Sequence, residues 1–419
     1  MNRVFDRADL LLPNNCDMTK WSVVACDQFT SQPEYWAALE TLCKDVPSTL
    51  HLMLPEAYLA DRDQFEEAKR INAEMDRYLA EGVFRELKDS YVFLERTLRS
   101  GAVRRGLLGV LDLDAYDYSK DSASPIRATE GTVEDRLPPR VRVREGAALE
   151  MPHIMVFIDD PADTVMGMLT AAKGTLPELY DFDLSANGGH IRGWQVCGEA
   201  ANRLETVIDG LADPAALRAR YADLAPAIFA MGDGNHSLAT AKKCWEAIKP
   251  TLSEAEREVH PARYGLVELV NIHAEAITFE PIHKVIFGTV PANFIAEAEA
   301  YFGALSGGAD TCHRLRVLTA EGEQELTVRG LTIGQMIGAA EEFCQNYLRV
   351  NGGKIDYIHN DDTAMEMGRR ADGAAILLPK MEKGELFPSI VRSGPFPKKS
   401  FSIGHAEDKR YYLECRRIR

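Results

Sequence analysis

No apolar run in this sequence approaches the ~18–20 residues that a membrane-spanning helix needs. The only early apolar run is Leu10-Leu11-Leu12, and Arg3, Asp6, Arg7 and Asp9 crowd the residues before it, so no secretory leader is expected. Basic charge is in short supply: 48 Lys and Arg stand against 64 Asp and Glu, a formal charge of −16. That balance argues against a mainly electrostatic nucleic-acid binder, although a local basic pocket is still allowed. The eight cysteines form no Cys-x-x-Cys pair and no zinc-like Cys/His spacing, and they read as reduced thiols of a cytoplasmic protein. Internal repeats and low-complexity tracts are missing. So are Walker A, Gly-x-Ser-x-Gly and His-Glu-x-x-His, which excludes a P-loop enzyme on pattern and leaves the usual hydrolase designs without support.

What is present is globular. A hydrophobic share of 46% with 27% charged residues excludes global disorder. A length of 419 residues exceeds the roughly 250–300 at which one core stops growing, so two or three units are expected. Trp36, Leu39 and Leu42 predict a helix over 33–44, and Phe65, Ala68, Ile71, Met75 and Leu79 predict another over 63–81, ended by Gly82. Strands are expected at 91–95, 107–113, 154–158 and 264–272, with hairpins at 181–196, around Asn187-Gly188-Gly189, and at 314–329. Prolines and polar residues break the pattern over 118–140, and a helix is expected over 333–348. Interleaved helices and strands with several hairpins predict an α/β or α+β fold with a mixed sheet. Gly288-Thr289-Val290-Pro291 suggests a boundary between a core of 1–288 and a smaller α/β unit of 289–419.

The sharpest local feature is the apolar run Ala227-Ile228-Phe229-Ala230-Met231, which meets Gly232-Asp233-Gly234-Asn235-His236-Ser237 before a helix carrying Leu238, Ala241, Trp245 and Ile248. A helix N-terminus presents unpaired N–H groups and about half a unit of positive charge, which suits a phosphate. Gly232 and Gly234 permit a tight turn and close approach of a ligand. His236 can donate to a phosphate oxygen, and Asn235 or Ser237 can cap the helix. Asp233 would repel a bare phosphate, so Mg²⁺ is expected to bridge the two. The same residues serve equally well as a plain helix cap. They also form an imperfect Gly-x-Gly-x-x-Gly with Ser237 in the third place and Glu254 about 20 positions later, which keeps an NAD-dependent oxidoreductase open as an alternative.

Two further stretches carry chemistry. Residues 127–140 hold three arginines and three acids. Arg127, Arg136 and Arg140 can grip phosphates or a carboxylate in bidentate fashion, and Glu130 or Glu134 can accept a hydroxyl proton. A self-neutralising surface loop is the plainer account. Near the C-terminus, Gly394-Pro395-Phe396-Pro397-Lys398-Lys399-Ser400 is a stiffened loop presenting two point charges, Lys398 and Lys399, for a phosphate. His190 and His283 read as structural. Asp27, after Val23-Val24-Ala25-Cys26, reads first as a turn cap and second as a catalytic carboxylate.

Together these stretches resemble the bacterial and archaeal family catalogued as domain of unknown function 1015, over nearly the whole chain. The carriers are Trp21-Ser22-Val23-Val24-Ala25-Cys26-Asp27-Gln28, residues 127–136, residues 232–236, Pro281-Ile282-His283 and Pro397-Lys398-Lys399-Ser400. Where much of that family has Asp-Gly-His-His-Arg, this chain has Asp233-Gly234-Asn235-His236-Ser237, without the arginine. Glu130 matches the glutamate of a His-Glu-x-Thr pattern whose histidine is Thr129 here. The Asp-Gly-x-His turn also looks like the nucleotide-phosphate motif of the ParB/sulfiredoxin superfamily, which includes kinases acting on free serine. The resemblance implies a ParB/sulfiredoxin-like nucleotide-binding core and phosphoryl transfer from ATP or ADP to the hydroxyl of free serine or a similar small metabolite. In that reading residues 232–237, Lys398 and Lys399 hold the phosphates, and Asp233 holds Mg²⁺. Arg127, Arg136 and Arg140 hold the substrate, with Glu130, Glu134 and His236 as catalytic candidates. The expected partners are a nucleotide and a small molecule, with neither nucleic acid nor membrane. A non-catalytic nucleotide-binding regulator is the third possibility.

Overall fold

Long β-rich runs that alternate between two buried faces build the larger sheet, as seen in a computed structural model that describes residues 3–419 apart from Val133, Asp135, Arg136 and Pro152. Among the described residues this sheet has eleven strands. Its main path runs Glu178–Asp183, His190–Val196, Phe84–Thr97, Val103–Asp112, Tyr264–Asn271, Met155–Ile158, Phe229–Asp233, Ile126–Arg127 and Tyr116–Asp117. Phe5–Asp6 pairs with Val103–Asp112, and Ala8–Pro13 pairs with Phe84–Thr97. Most neighbours are antiparallel, but Tyr264–Asn271 runs parallel to Met155–Ile158, and Ile126–Arg127 runs parallel to both Phe229–Asp233 and Tyr116–Asp117. The sheet is therefore mixed, as the interleaved helices and hairpins implied. The hairpin over 181–196 turns where Ala186, Asn187 and Gly189 take φ values of 51°, 61° and 84°.

A smaller antiparallel sheet orders Gly322–Arg329, Cys312–Thr319, Gly373–Leu377, His283–Phe287 and Lys354–Ile358. Helix Ile333–Asn351 packs on it, starting from a Thr332/Gln335 capping box. One apolar core joins the two sheets, with Phe157 and Val270 from the larger and Val317 and Ile376 from the smaller. The expected boundary near residue 288 falls just after the strand His283–Phe287.

Helix Pro138–Gly146 was not anticipated. Its Arg140-Val141-Arg142-Val143-Arg144 alternates with the period of a strand, yet Pro138 and Pro139 open a helical first turn. The segment packs on helix Gln64–Ala80 without fully burying any side chain, so it leaves no helical apolar stripe to read.

The chain does not end in the smaller sheet. Tyr411–Tyr412 pairs with Val23–Val24, and Arg416–Arg417 pairs with Leu149–Glu150, beside the larger sheet. Trp21 Nε1 donates to Leu413 O at 2.8 Å. Arg96, 1% exposed, donates to the carbonyls of Gly188, Glu407, Asp408 and Lys409. Burial, seconded by the nearby Arg104 charge, pushes its pKa down to about 9. Arg410, equally buried, pairs with Glu268 and Glu414. These contacts fix the terminal strap, and with it the position of Lys409.

Candidate functional site

The turn after Phe229–Asp233 is shaped by its neighbour strand. Ala230 and Met231 pair with Phe157 and Val156, but Asp233 pairs with Met155, so Gly232 is the extra residue of a bulge. A Cβ on Gly232 would lie 2.8 Å from the Phe157 ring, and one on Gly234 would lie 3.0 Å from Ile154 Cα. Gly234 also holds φ at +79°. The close approach that both glycines permit is thus to the protein's own strand. Helix Asn235–Ile248 begins at Gly234 as its cap, with no side-chain capping bond. Asn235 and Ser237 are therefore first-turn helical residues, and the expectation that either caps the helix is corrected: the left-handed Gly234 already occupies that place. The backbone N–H of Gly234 donates to Asp233 Oδ1 at 2.9 Å.

Three segments converge on this turn. Thr129 Oγ1 donates to Met231 O at 2.5 Å, Phe396 N donates to Thr129 O at 2.7 Å, and Lys399 N donates to Glu130 Oε1 at 2.7 Å. These bonds place Glu130, Gly232, Asp233, Asn235, Pro397 and Ser400 around one cleft of about 180 Å³. Lys409 also lines it, with Nζ 3.1 Å from Asp233 Oδ2. Asn235 Oδ1 is buried without a hydrogen-bond partner among the described residues, and such a group calls for an explanation. The loop of Lys398 and Lys399 reaches the turn across more than 160 residues of sequence, but through its backbone. Lys399 takes φ +55°, its carbonyl accepts from the buried Lys284 Nζ at 3.2 Å, and its own Nζ sits 4.7 Å from the Tyr357 ring centroid. Lys398 is exposed.

A second cavity, also about 180 Å³, opens on the other side of the same helix turn. Leu52, Met75, Val143, Leu149 and Leu266 form its walls, and His153, Ser237 and Tyr412 its polar floor. His153 Nε2 is 3.1 Å from Ser237 Oγ, and His153 Nδ1 is 2.9 Å from the Tyr412 hydroxyl. Tyr412 donates to Cys26 Sγ at 3.2 Å, so it accepts from His153 Nδ1–H. Asp27 lies 3.7 Å from His153 Nε2. Burial alone would raise its pKa. His153, a hydrogen bond from Gln28, Lys409 and Arg140 together hold it below the usual carboxylate range.

The remaining sequence candidates are dispersed. Arg127 is buried and donates to the carbonyls of Ser124 and Ala225, lining neither cavity. Arg140 lines the apolar cavity, ion-paired with Glu56. Arg136 lies outside the described residues. Glu134 faces outward, 58% exposed, held by Lys243 and the Tyr118 hydroxyl. His236 is half-buried in the helix's first turn, and its carbonyl accepts from Thr240 Oγ1 at 2.7 Å. His283 bridges Asp361 and the Leu378 N–H, and His190 sits between Asp181 and Asp183. Glu254 opens the short helix Glu254–Val259 behind a Ser253/Glu256 capping box rather than ending a strand, so the geometry lends the dinucleotide fingerprint no support. The residues that sequence reasoning passed over are Lys409 and His153. Lys409 carried no motif, and His153 sits in a plain strand approach.

No helix among the described residues is long and apolar enough to cross a membrane. Among solved structures, the chain is similar to SbnI with C-terminal truncation from Staphylococcus aureus, at 8% identity and a TM-score of 0.34, over 71% of this chain and 82% of that one. It is similar to a free serine kinase in complex with AMP at 9% identity and a TM-score of 0.36, over 74% and 91%. A conserved hypothetical protein from Pyrococcus furiosus gives 11% identity and a TM-score of 0.29, over 73% and 90%. No curated protein matches. Residues 11–416 match the family described as protein of unknown function (DUF1015), and the chain belongs to that family.

Proposed function

We propose that the protein is a small-molecule phosphotransferase that uses ATP or ADP and acts on the hydroxyl of free serine or a similar small metabolite. The observation that carries this reading is the polar cleft, where Glu130, Asp233, Lys409 and a helix N-terminus without a side-chain cap face one space. Phosphoryl transfer asks mainly for positioning and electrostatic stabilisation, which such a set supplies. The phosphates lie against the first turn of helix Asn235–Ile248, with Asn235, His236 and Lys409 as their partners. The Lys398-Lys399 loop closes the cleft beside Glu130.

Among the described residues, no group of three or more His, Cys, Asp or Glu is arranged to hold a metal by itself. Mg²⁺ needs no such cage: it is usually held by one or two carboxylates plus substrate phosphates. Asp233 lines the cleft and supplies such a carboxylate, so the residues fit Mg²⁺ brought in with the nucleotide. Bound there, the ion would neutralise phosphate charge. The chain's own part is to accept a proton. As the acceptor oxygen bonds to the terminal phosphorus, the P–O bond to the leaving phosphate breaks and its electron pair departs with ADP or AMP. The hydroxyl proton passes to the Glu130 carboxylate.

Equilibrium binding of ATP, ADP, CTP and NAD to the full chain, followed by product analysis with hydroxyl acceptors, tests the reading. ATP or ADP binding with a phosphorylated product is expected. Nucleotide binding without turnover would make the protein a regulator, and binding of NAD alone would make it an oxidoreductase.

A further inference from the structure

The apolar cavity is larger than its walls require. Its volume of about 180 Å³ exceeds the roughly 150 Å³ apolar cavity that accepts benzene in an engineered protein. The charged side chains that reach it come in pairs: Arg140 with Glu56, and Arg144 Nη2 with Glu150 Oε2 at 2.7 Å. Burial pushes the Cys26 thiol up to about 12, so that wall is neutral as well. A zwitterion entering here would have to desolvate two charges against partners that already hold each other. The polar floor is a hydroxyl and an imidazole, 3.1 Å apart, which matches an uncharged donor–acceptor group. Ser237 on this floor and Asn235 in the polar cleft belong to the same helical turn, so an occupant's polar end lies next to the proposed phosphates.

From this we infer that the cavity is a second ligand site beside the polar cleft, and that it takes an uncharged alcohol whose hydroxyl is joined to a compact apolar group of about benzene size. The hydroxyl meets Ser237 and His153, and the apolar group packs on Met75, Val143 and Leu149. The acceptor of the phosphotransferase reading stays in the polar cleft with Glu130, and the preference of this second site does not depend on that reading.

The test uses the full chain without nucleotide. Met53, Met75 and Met151 all line the cavity, so ¹³C-methyl labels on methionine report its occupancy. Benzyl alcohol is expected to shift these methyls saturably. Toluene, which lacks the hydroxyl, should bind about tenfold more weakly, the worth of one hydrogen bond, and free serine should leave the signals in place. Val143→Phe, filling the cavity from its rim, should weaken benzyl alcohol at least tenfold while ATP affinity stays within twofold. Methyls that ignore benzyl alcohol in the unmodified protein would overturn the inference. So would serine binding tighter than benzyl alcohol, or a folded Val143→Phe variant that binds the alcohol normally. Benzyl alcohol binding in a protein that takes up no nucleotide would sink the phosphotransferase reading and leave the pocket's preference standing.

Discussion

Two cavities of the same volume, about 180 Å³ each, meet at the first turn of helix Asn235–Ile248 and differ in nearly everything else. One is walled by leucines, methionines and valine, and its charged visitors are locked in pairs. The other is lined by two carboxylates, an amide and a lysine, with one buried amide oxygen lacking a partner among the described residues. Equal space with opposite chemistry argues for two ligands or two ends of one reaction. Paired charge stands in both, Asp233 with Lys409 in the polar cleft, so it is the unsatisfied polar atom that marks where something else belongs.

The comparison breaks most sharply at Glu130. If the polar cleft is the reacting side, Glu130→Gln should lower turnover by ~10²–10⁴ with nucleotide affinity nearly unchanged, because only the proton acceptor is removed. Parallel losses of binding and turnover, followed by calorimetry and product assay, would instead make it a positioning residue. Full activity in the variant would return proton acceptance to Asp27 or another carboxylate.

Next in size is a contrast between lysines. Lys409 reaches into the cleft, so Lys409→Met should weaken ATP or ADP by about 10- to 150-fold, the worth of one charge-assisted hydrogen bond. Lys399→Met should change affinity by less than about threefold, since that ammonium rests over Tyr357 and only its backbone meets Glu130. Titration calorimetry on both variants ranks them. A reversed order would mean that the Lys398-Lys399 loop swings over the bound nucleotide.

That contrast also shows what sequence can carry. The strand, turn and helix around residues 229–248 were legible because each is encoded within its own neighbours: an apolar run, two glycines, then apolar residues at helical spacing. The proximity of residues 129–131, 232–235 and 397–400 was legible only through resemblance, since nothing local in three distant segments states that they touch. Lys409 was not legible at all. Its place depends on the strap that Arg96 grips by three successive carbonyls, those of Glu407, Asp408 and Lys409. The glycines were misread in one respect, because they make room for Ile154 and Phe157 rather than for a ligand. Arg127, expected to hold a substrate, donates instead from Nε and Nη2 to the backbone carbonyls of Ser124 and Ala225, partners that composition cannot foresee.

A smaller effect is expected at His236. Half-buried in the first turn and outside the lining of the polar cleft, it contributes at most one long hydrogen bond to the phosphates, so His236→Ala should weaken nucleotide binding about two- to tenfold with the fold intact by circular dichroism. Benzyl alcohol affinity in the same variant should not move, because His236 does not line the apolar cavity. A loss in both ligands would merge the two cavities into one site.

The smallest effect lies outside both cavities and calibrates any pH dependence found inside them. His190 bridges Asp183 and Asp181 at 2.7 Å each, and these hydrogen bonds, Asp183's first, raise its pKa above the ordinary histidine value. A raised folded-state value means the charged form is favoured by folding. The stabilisation is therefore complete below the unfolded value, ~6.5, and fades as pH rises through the raised folded value. The pair is solvent-exposed and Arg192 competes for Asp181, at 2.8 Å, so the contribution stays below about 1 kcal/mol. Thermal unfolding of His190→Gln against the unmodified protein should show a gap of no more than about 2 °C at pH ~6 that closes toward alkaline pH. ATP and benzyl alcohol affinities should be the same in both proteins throughout. A gap that widens with rising pH would reverse the sign and mean that His190 is held neutral. A change in either ligand's affinity would tie this hairpin to the cavities, from which its geometry separates it.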